Sequence, residues 1–276
     1  MRAVTLLFHD VVPAGRWELS GFRGADADLY KLDCAKFRQH FMAISQSLRS
    51  QPTTGPEVLV GPSDDHPVLL TFDDGGVSAL LYVADILDEF GWKAHFLITV
   101  GLIGTAGFLN RSQIQELRRR GHVIGSHSYS HPTRMAHCSK AELNIEWKRS
   151  VLSLTEILGE PIQVASVPGG YYSRPVAFAA ATAGIKLLFN SEPVTRSHAV
   201  DGCLVLGRFI AKQCTPPSWS GAIVAGHRRP RIREYFFWNG KKVAKALLGK
   251  MWLRARVFLL ARRAQTTSQW PGADSR

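Results

Sequence analysis

The chain has 276 residues, of which 45% are hydrophobic and 20% are charged, and both values are ordinary for a globular domain. This composition excludes collagen-like, disordered and disulfide-scaffold proteins. The formal net charge is +12, but it is unevenly placed: residues 228–263 carry +11, whereas residues 1–227 carry +1. We therefore expect a nearly neutral domain over residues 1–227 and a basic extension over residues 228–276.

The sequence predicts neither a transmembrane span nor a secretory signal. No apolar run approaches the roughly 20 residues that cross a bilayer, and His9 and Asp10 interrupt the apolar stretch near the amino terminus. The cysteines lie far apart without a C-x-x-C pair, which suits free thiols in a reducing compartment. We therefore expect a cytoplasmic protein.

Short apolar runs alternate with amphipathic segments along the nearly neutral part of the chain, which predicts an α/β architecture. The predicted strands, in chain order, are residues 4–8, 68–72, 94–98, 123–125, 204–206 and 222–225. The predicted helices are residues 77–90, residues 112–120 and a segment that begins at the capping box of residues 139–142 and ends at Gly159.

Two adjacent carboxylates follow a predicted strand, in the run T-F-D-D-G-G at residues 71–76. Neighbouring side chains point to opposite faces of a strand, but the glycines at its end can let Asp73 and Asp74 enter one cleft. One carboxylate could then bind a cation while the other acts as a general base. For the motif alone, an Asp-Gly turn with solvated carboxylates is the favoured alternative.

Two histidines follow the next predicted strand, in the run H-S-Y-S-H at residues 127–131. One helical turn would bring His127 and His131 side by side. With an aspartate they form a two-histidine, one-carboxylate set that leaves coordination positions open, as catalytic metal sites do. Ser128 stands where H-E-x-x-H enzymes carry their base, so an aspartate has to supply it. A structural role for the histidine pair is equally compatible with the spacing alone.

Together the two motifs resemble those of the polysaccharide deacetylases with NodB homology, the family 4 carbohydrate esterases. The motifs T-F-D-D-G and H-[ST]-x-x-H are both intact, and G-H-V-I-G-S at residues 121–126 matches the usual lead-in. The resemblance covers roughly residues 1–227 and implies a distorted, incomplete (β/α) barrel. It also implies Asp73 as general base, and as metal ligands Asp74, His127 and His131. These ligand types favour one divalent zinc ion, with Co²⁺, Ni²⁺ or Mn²⁺ as alternatives.

The third motif of that family, R-x-P-x-[GY], has its best match in S-V-P-G-G-Y at residues 166–171, which lacks the arginine. The resemblance implies that this arginine holds the base. We therefore expect either that Arg174 or Arg208 reaches Asp73 from elsewhere, or that Asp73 is oriented differently. Gly169 occupies the position whose backbone N–H would stabilise an oxyanion. Without the other motifs the segment would be interpreted as a Pro-Gly loop.

The resemblance further implies a histidine in an L-x-H motif as general acid, normally near the end of the domain. Here the run L-L-F-H-D at residues 6–10 resembles that motif at the amino terminus, as in circularly permuted deacetylases. His9 is therefore the first candidate for the acid. His227, which follows the strand predicted at residues 222–225, is the competing candidate at the ordinary position. A lone histidine at a strand end is more often structural.

These expectations describe a metal-dependent hydrolase that removes acetyl groups from the N-acetylated sugars of a glycan. We expect it to act during cytoplasmic assembly of a cell-surface or exported polysaccharide, on a glycan or a lipid-linked oligosaccharide. One alternative is hydrolysis of another non-peptide amide, such as a cyclic imide or ureide. The other is a catalytically silent protein that binds membrane or nucleic acid, against which the intact first and second motifs argue.

Residues 241–263 predict a helix with a broad apolar face and basic side chains opposite and beside it. This pattern suits an anionic membrane interface, so we expect a peripheral location on the inner face of the membrane. A helix packed on the barrel is equally compatible. Nucleic acid is less favoured because no recognised reading motif accompanies the charge. We expect the extension to serve location, and a chain that ends after Pro230 to remain active.

Overall fold

The computed structural model of the protein describes residues 1–61 and 64–240. The helix predicted over residues 241–263 lies outside this described part of the chain. The strands are β1 Val4–Phe8, β2 Val11–Val12, β3 Leu32–Asp33, β4 Val68–Phe72, β5 His95–Ile98, β6 Val123–Ser126, β7 Val164–Ser166, β8 Leu187–Phe189, β9 His198–Val200, β10 Cys203–Leu206 and β11 Phe209–Ile210.

The α-helices are α1 Ala25–Asp28, α2 Cys34–Ser45, α3 Gly55–Val60, α4 Ala84–Glu89, α5 Arg111–Arg119, α6 Lys140–Leu158, α7 Arg174–Thr182 and α8 Pro217–Val224. A π-helical turn at Ala79–Val83 leads directly into α4, and residues 228–240 are also helical. None of the helices within residues 1–61 and 64–240 is long and apolar enough to cross a bilayer.

Nine strands form one curled sheet in the order β11-β1-β4-β5-β6-β7-β8-β10-β9. Every neighbouring pair is parallel except β9 and β10, and β2 and β3 form a separate parallel pair. The edge strands β9 and β11 are not paired with each other in this order, so the barrel is incomplete. Parallel strands require crossover connections. Helices supply most of these connections, whereas the chain between the parallel strands β8 and β10 contains only the short strand β9.

The amino-terminal strand lies inside the sheet, between β4 and β11. All residues of β1 and β4 are buried, as expected for parallel strands that are covered on both faces. Their register pairs Phe8 with Phe72, and the N–H of Asp73 donates to the carbonyl oxygen of Phe8 at 3.1 Å. The residue after β1, His9, is therefore held beside the residue after β4, Asp73.

Aromatic side chains fill much of the core behind this edge. Asp33 caps the start of helix α2, because its side chain accepts from the N–H of Lys36 at 2.8 Å. The helix buries Phe37 and Phe41 on one face. The ring of Phe37 lies 5.5 Å from that of Phe8 on β1. Burial of each such ring contributes about 1.5–3 kcal/mol, so this packing fixes the strands that carry the candidate site.

Local sequence signals agree closely with several of these elements. The strands predicted at residues 4–8 and 68–72 have the same bounds as β1 and β4. Helix α6 begins after Ser139, which accepts from the N–H of Glu142, and it ends at Gly159 with a φ of 71°. That left-handed conformation is one that glycine adopts without steric cost.

The strand predicted at residues 222–225 was wrong, because these residues lie mainly within helix α8. Pro217 occupies the first position of this helix, where proline is favoured. Helix α8 packs closely on α2, since a Cβ atom on Gly221 would lie only 2.7 Å from the carbonyl oxygen of Ala43. A short apolar run does not by itself distinguish a buried strand from a buried helix.

Candidate active site

The candidate site lies at the carboxyl ends of neighbouring parallel strands. His9 follows β1, Asp73 and Asp74 follow β4, His127 follows β6, and Ser166 ends β7. Because the strands are parallel, these ends share one edge of the sheet, where ligands of open α/β sheets commonly bind. The topology thus brings together residues that are far apart in the sequence.

A buried arginine holds the carboxylate of Asp73. Arg208 is fully buried, and its Nη1 and Nη2 donate to the two carboxylate oxygens of Asp73, each at 2.7 Å. Its Nε donates to the carbonyl oxygen of Asn190 at 2.8 Å, and Nη1 also approaches the hydroxyl of Thr71 at 3.3 Å. Burial alone would raise the pKa of Asp73, but the Arg208 charge and the neighbouring imidazoles hold it below its usual value.

The other candidate for this partner, Arg174, is not brought to Asp73. It is the first residue of α7 and its side chain is exposed, whereas Asp73 is buried. Arg208 reaches the carboxylate because it follows β10, which the chain places in the same curled sheet. The sequence analysis named both arginines as possible partners of Asp73, and no local sequence signal distinguishes them.

Asp74, His127 and His131 converge on one point. The Nε2 atoms of His127 and His131 lie 3.3 Å and 3.5 Å from Oδ1 of Asp74, and the three donor atoms all lie within 4.8 Å of one another. Burial works to raise the pKa of Asp74, but hydrogen bonds from both histidines hold it well below its usual range. Two imidazoles and one carboxylate fit a divalent metal ion with open coordination positions.

The two histidines meet through a loop, and the helical turn expected for them was wrong. Residues 127–131 contain no helix, and Ser128 and His131 have φ values of 65° and 57°. Glu146 fixes this loop by accepting from two of its backbone N–H groups. Asp74 is also left-handed, with a φ of 73°. Such conformations cost about 1–3 kcal/mol each and occur often at functional sites.

Ser166 joins the general-base candidate to one of the metal-ligand candidates. Its hydroxyl donates to Oδ1 of Asp73 at 3.0 Å and lies 2.5 Å from Nδ1 of His127. Because the hydroxyl proton is directed at the carboxylate, the serine oxygen accepts from Nδ1–H. Nε2 of His127 then faces Asp74, donating to it when protonated and offering its lone pair to a metal ion when neutral. The sequence analysis assigned Ser166 no role, although its position at the start of the altered third motif was a signal.

His9 lies on the side of the site opposite β6 and β7. Its half-buried ring is 5.0 Å from the ring of Tyr30, and a positive charge on this imidazole would lower the pKa of both Asp73 and Asp74. Nδ1 of His9 is buried and has no hydrogen-bond partner within the described part of the chain. The position allows the imidazole to face a group bound beside the two aspartates.

His227 and Gly169 are placed very differently from each other. His227 is exposed after the end of helix α8, so the strand on which its candidacy rested is absent from that position. Gly169 lies in the short turn Pro168–Gly170 after β7, with a φ of 60°. A Cβ atom there would lie 3.3 Å from the carbonyl oxygen of Thr133. The turn therefore favours glycine both for its conformation and for its close contact.

This geometry defines an incomplete (β/α) barrel with a candidate mononuclear metal site and a separately held carboxylate at its carboxyl edge. Residues 61–188 match the family model described as polysaccharide deacetylase. This segment belongs to that family, and the resemblance that the first two motifs indicated is confirmed.

One curated relative is the peptidoglycan-N-acetylglucosamine deacetylase of Bacillus cereus. It is 34% identical over 100 residues, which are 36% of this chain and 33% of the relative. The chain thus matches about a third of that relative's length. The match supports the family assignment of the segment.

Solved structures show the same fold over most of the chain. The Streptococcus pyogenes deacetylase PplD, solved with acetate, is 21% identical with a TM-score of 0.66, covering 79% of this chain and 95% of that one. IcaB from Ammonifex degensii is also 21% identical with a TM-score of 0.66, covering 81% and 96%. The polysaccharide deacetylase BC0361 from Bacillus cereus is 17% identical with a TM-score of 0.67, covering 81% and 69%. The incomplete barrel is thereby confirmed.

Proposed function

We propose that the protein is a metal-dependent N-deacetylase that acts on N-acetylated sugars of a glycan. The observation that carries this proposal is that two neighbouring carboxylates have different binding partners. Asp73 is bound by Arg208 and Ser166, while Asp74 faces two imidazoles. One carboxylate is thus available for proton transfer and the other for metal binding.

The metal ligands would be Asp74, His127 and His131, and zinc is the ion that we propose for them. When bound, such an ion supplies Lewis acidity for the carbonyl group of the acetamide. The match of residues 61–188 to the deacetylase family supports this proposal, as does the donor set itself.

Three other groups would carry the proton transfers and the charge. Asp73 would accept the proton of the attacking water, because Arg208 keeps it ionised and aligned. The backbone N–H of Gly169 would stabilise the oxyanion. His9 would donate a proton to the departing amine as the C–N bond breaks. The products are acetate and a sugar with a free amino group.

The test is acetate release by the purified, metal-loaded chain. Free, nucleotide-linked and lipid-linked N-acetylhexosamine oligomers are offered together with a panel of cyclic imides and ureides. We expect acetate from at least one sugar, and a turnover number that falls about 100-fold or more in His9→Ala. His227→Ala is the matched control, because its side chain is exposed after α8. Imide or ureide hydrolysis without acetate release would contradict the proposal.

We also propose a setting for this activity, the assembly of a cell-surface or exported polysaccharide at the cytoplasmic face of a membrane. The curated relative is named for a peptidoglycan substrate, which supports an N-acetylhexosamine-containing glycan. The charge of residues 228–263 supports a peripheral anionic surface as partner. The exposed side chains of Ile232, Tyr235 and Phe236 in the described part of this region add apolar surface.

A further inference from the structure

A lysine lies beside the candidate general acid at the carboxyl edge of the sheet. Strands β1 and β11 pair Leu7 with Ile210, and the residues two positions further along are His9 and Lys212. Tyr30 contacts both, because its ring lies 5.0 Å from the His9 ring and 5.9 Å from Nζ of Lys212. Lys212 and the candidate acid, His9, therefore both lie against the ring of Tyr30.

The helical residues 228–240 cover the other side of this lysine. The ring of Phe237 lies 5.5 Å from Nζ of Lys212. The next residue, Trp238, packs on the third-motif loop, since a Cβ atom on Gly170 would lie 2.9 Å from its Cη2 atom. The helix thus borders the site from Lys212 to the loop that carries Gly169.

This helix is anchored to the barrel before it reaches the site. The guanidinium of Arg231 donates from Nη2 and Nε to the carbonyl oxygen of Ile223, at 2.6 Å and 3.1 Å. An element held in this way can present aromatic side chains in fixed positions. Residues 228–240, the described part of the basic extension, therefore line one side of the candidate site.

The ammonium group of Lys212 has capacity to bind an anion. The side chain is half-buried, and none of the ion pairs within residues 1–61 and 64–240 includes it. Lys31, by comparison, is buried against the carboxylate of Asp28. Aromatic faces attract the Lys212 charge but accept none of its N–H groups as an oxygen anion would.

We propose that Tyr30, Lys212 and Phe237 form a subsite for an anionic group carried by the glycan next to the reacting acetamido sugar. The aromatic faces would contact the sugar, and the ammonium group would bind a carboxylate or phosphate oxygen. This inference rests on the proposed deacetylase function and narrows its substrate to an acidic or phosphate-linked glycan. Two sources of the anion fit the same chemistry, a uronic acid within the chain and a phosphate that links the sugar to a carrier.

The experiment compares three substrates at constant ionic strength with the full-length, metal-loaded chain. They are a neutral N-acetylglucosamine pentamer, an oligosaccharide in which N-acetylglucosamine alternates with glucuronic acid, and a diphosphate-linked N-acetylglucosamine. We expect kcat/KM for at least one anionic substrate to exceed that for the pentamer by about tenfold or more, as one charge-assisted hydrogen bond allows. The preferred anionic substrate identifies the source of the charge.

Variants at Lys212 link this preference to the subsite. Lys212→Met keeps the aliphatic stem and should abolish the anionic-to-neutral ratio of kcat/KM, mainly through KM. Lys212→Arg should preserve most of the ratio. Lys186→Met is the matched control, because Lys186 is exposed immediately before β8, at the opposite end of the strands. An unchanged ratio in folded Lys212→Met, or no anionic preference in the unaltered chain, overturns the subsite.

Binding separates this inference from the proposed reaction. Titration calorimetry on the Asp73→Asn chain measures the affinity for each substrate without turnover. Acetate release without any anionic preference overturns the subsite and leaves the deacetylase proposal standing. Lys212-dependent binding of an anionic oligosaccharide, with no acetate released by the unaltered chain, supports the subsite and overturns the proposed reaction.

Discussion

Asp73 and Arg208 form a buried ion pair in which each charge compensates the other. Both side chains are almost fully buried, and two parallel hydrogen bonds join them. Removal of one partner from such a pair typically costs about 3–5 kcal/mol, because the remaining charge stays buried without compensation. The pair therefore links the stability of the barrel to the orientation of the candidate base.

We expect Arg208→Ala to lower the free energy of unfolding by about 3 kcal/mol and to reduce acetate release by about 100-fold or more through misplacement of Asp73. Urea unfolding and steady-state kinetics measure the two effects. Arg174→Ala is the control, since that arginine is exposed on α7. Full activity in Arg208→Ala, or an equal loss in Arg174→Ala, would show that Asp73 needs no such partner.

The contact between Ser166 and His127 predicts that removal of the serine hydroxyl weakens metal binding. This effect can be measured without turnover. Its oxygen accepts from Nδ1–H of His127, and loss of such an outer hydrogen bond commonly weakens metal binding by about 10- to 100-fold. We expect that change in Ser166→Ala, measured by competition with a chelator. Ser173→Ala is a matched control, because the Ser173 hydroxyl is also buried but has no partner in the described part of the chain. Equal affinities in both variants would remove Ser166 from the metal site.

The buried histidine of β5 makes stability depend on pH. In His95, Nδ1–H donates to the carbonyl oxygen of Leu70 at 2.8 Å, and Nε2 accepts from the N–H of Gly55 at 2.7 Å. Burial lowers the pKa of His95 from 6.5 to about 4. Because the unfolded chain binds this proton first, the contribution is fully present above pH 6.5 and is lost as the pH falls toward 4.

We expect the free energy of unfolding of the metal-free chain to fall between pH 7 and pH 5. His95→Gln should reduce this fall by about 1–2 kcal/mol, because glutamine does not titrate and its side-chain oxygen can accept from Gly55. Urea unfolding at the two pH values measures the difference. His66→Gln, at an exposed position, should leave the fall unchanged. The same fall in His95→Gln as in the unaltered chain would show that this group is not protected from protonation.

Elements set by nearby residues could be predicted, whereas contacts set by the curled sheet could not. The capping box at Ser139 and the stop at Gly159 are local signals, and helix α6 follows them. The partner of Asp73 depends on how β10 joins the sheet, which no local pattern encodes. The spacing of His127 and His131 correctly indicated proximity, but through a loop whose left-handed residues give no signal in the sequence. The other contacts of the site join residues that are far apart in the sequence, so no local pattern predicts them.

The contacts of residues 228–240 with the barrel change the activity expected of a truncated chain. Arg231 and Trp238 contact the barrel, so residues 228–240 are part of the fold as well as of the basic region. A chain that ends after Pro230 loses both contacts, which replaces the expectation of full activity with a prediction of reduced activity. A chain that ends after Gly240 keeps them.

We therefore expect the chain ending after Gly240 to deacetylate a short glycan, and the chain ending after Pro230 to be less stable and less active. Both should sediment less with anionic vesicles than the full chain, because each lost basic residue near such a surface contributes about 1 kcal/mol. Circular dichroism, acetate release and vesicle sedimentation at low and high salt measure these outcomes. Equal activity of the two truncated chains would show that residues 231–240 do not shape the site.

The central claim is that Asp73 acts as the general base while Asp74 binds the metal ion. Metal content measured together with acetate release tests this claim most directly. Asp73→Asn removes the charge that compensates Arg208, so the measurement is made on the folded variant. We expect it to retain one divalent ion per chain and release no acetate, because an amide keeps the shape but cannot accept the proton of water. Asp74→Asn should lose the ion, since it removes a ligand beside His127 and His131. Turnover in metal-loaded Asp73→Asn, or equal loss of metal in both variants, would contradict the account.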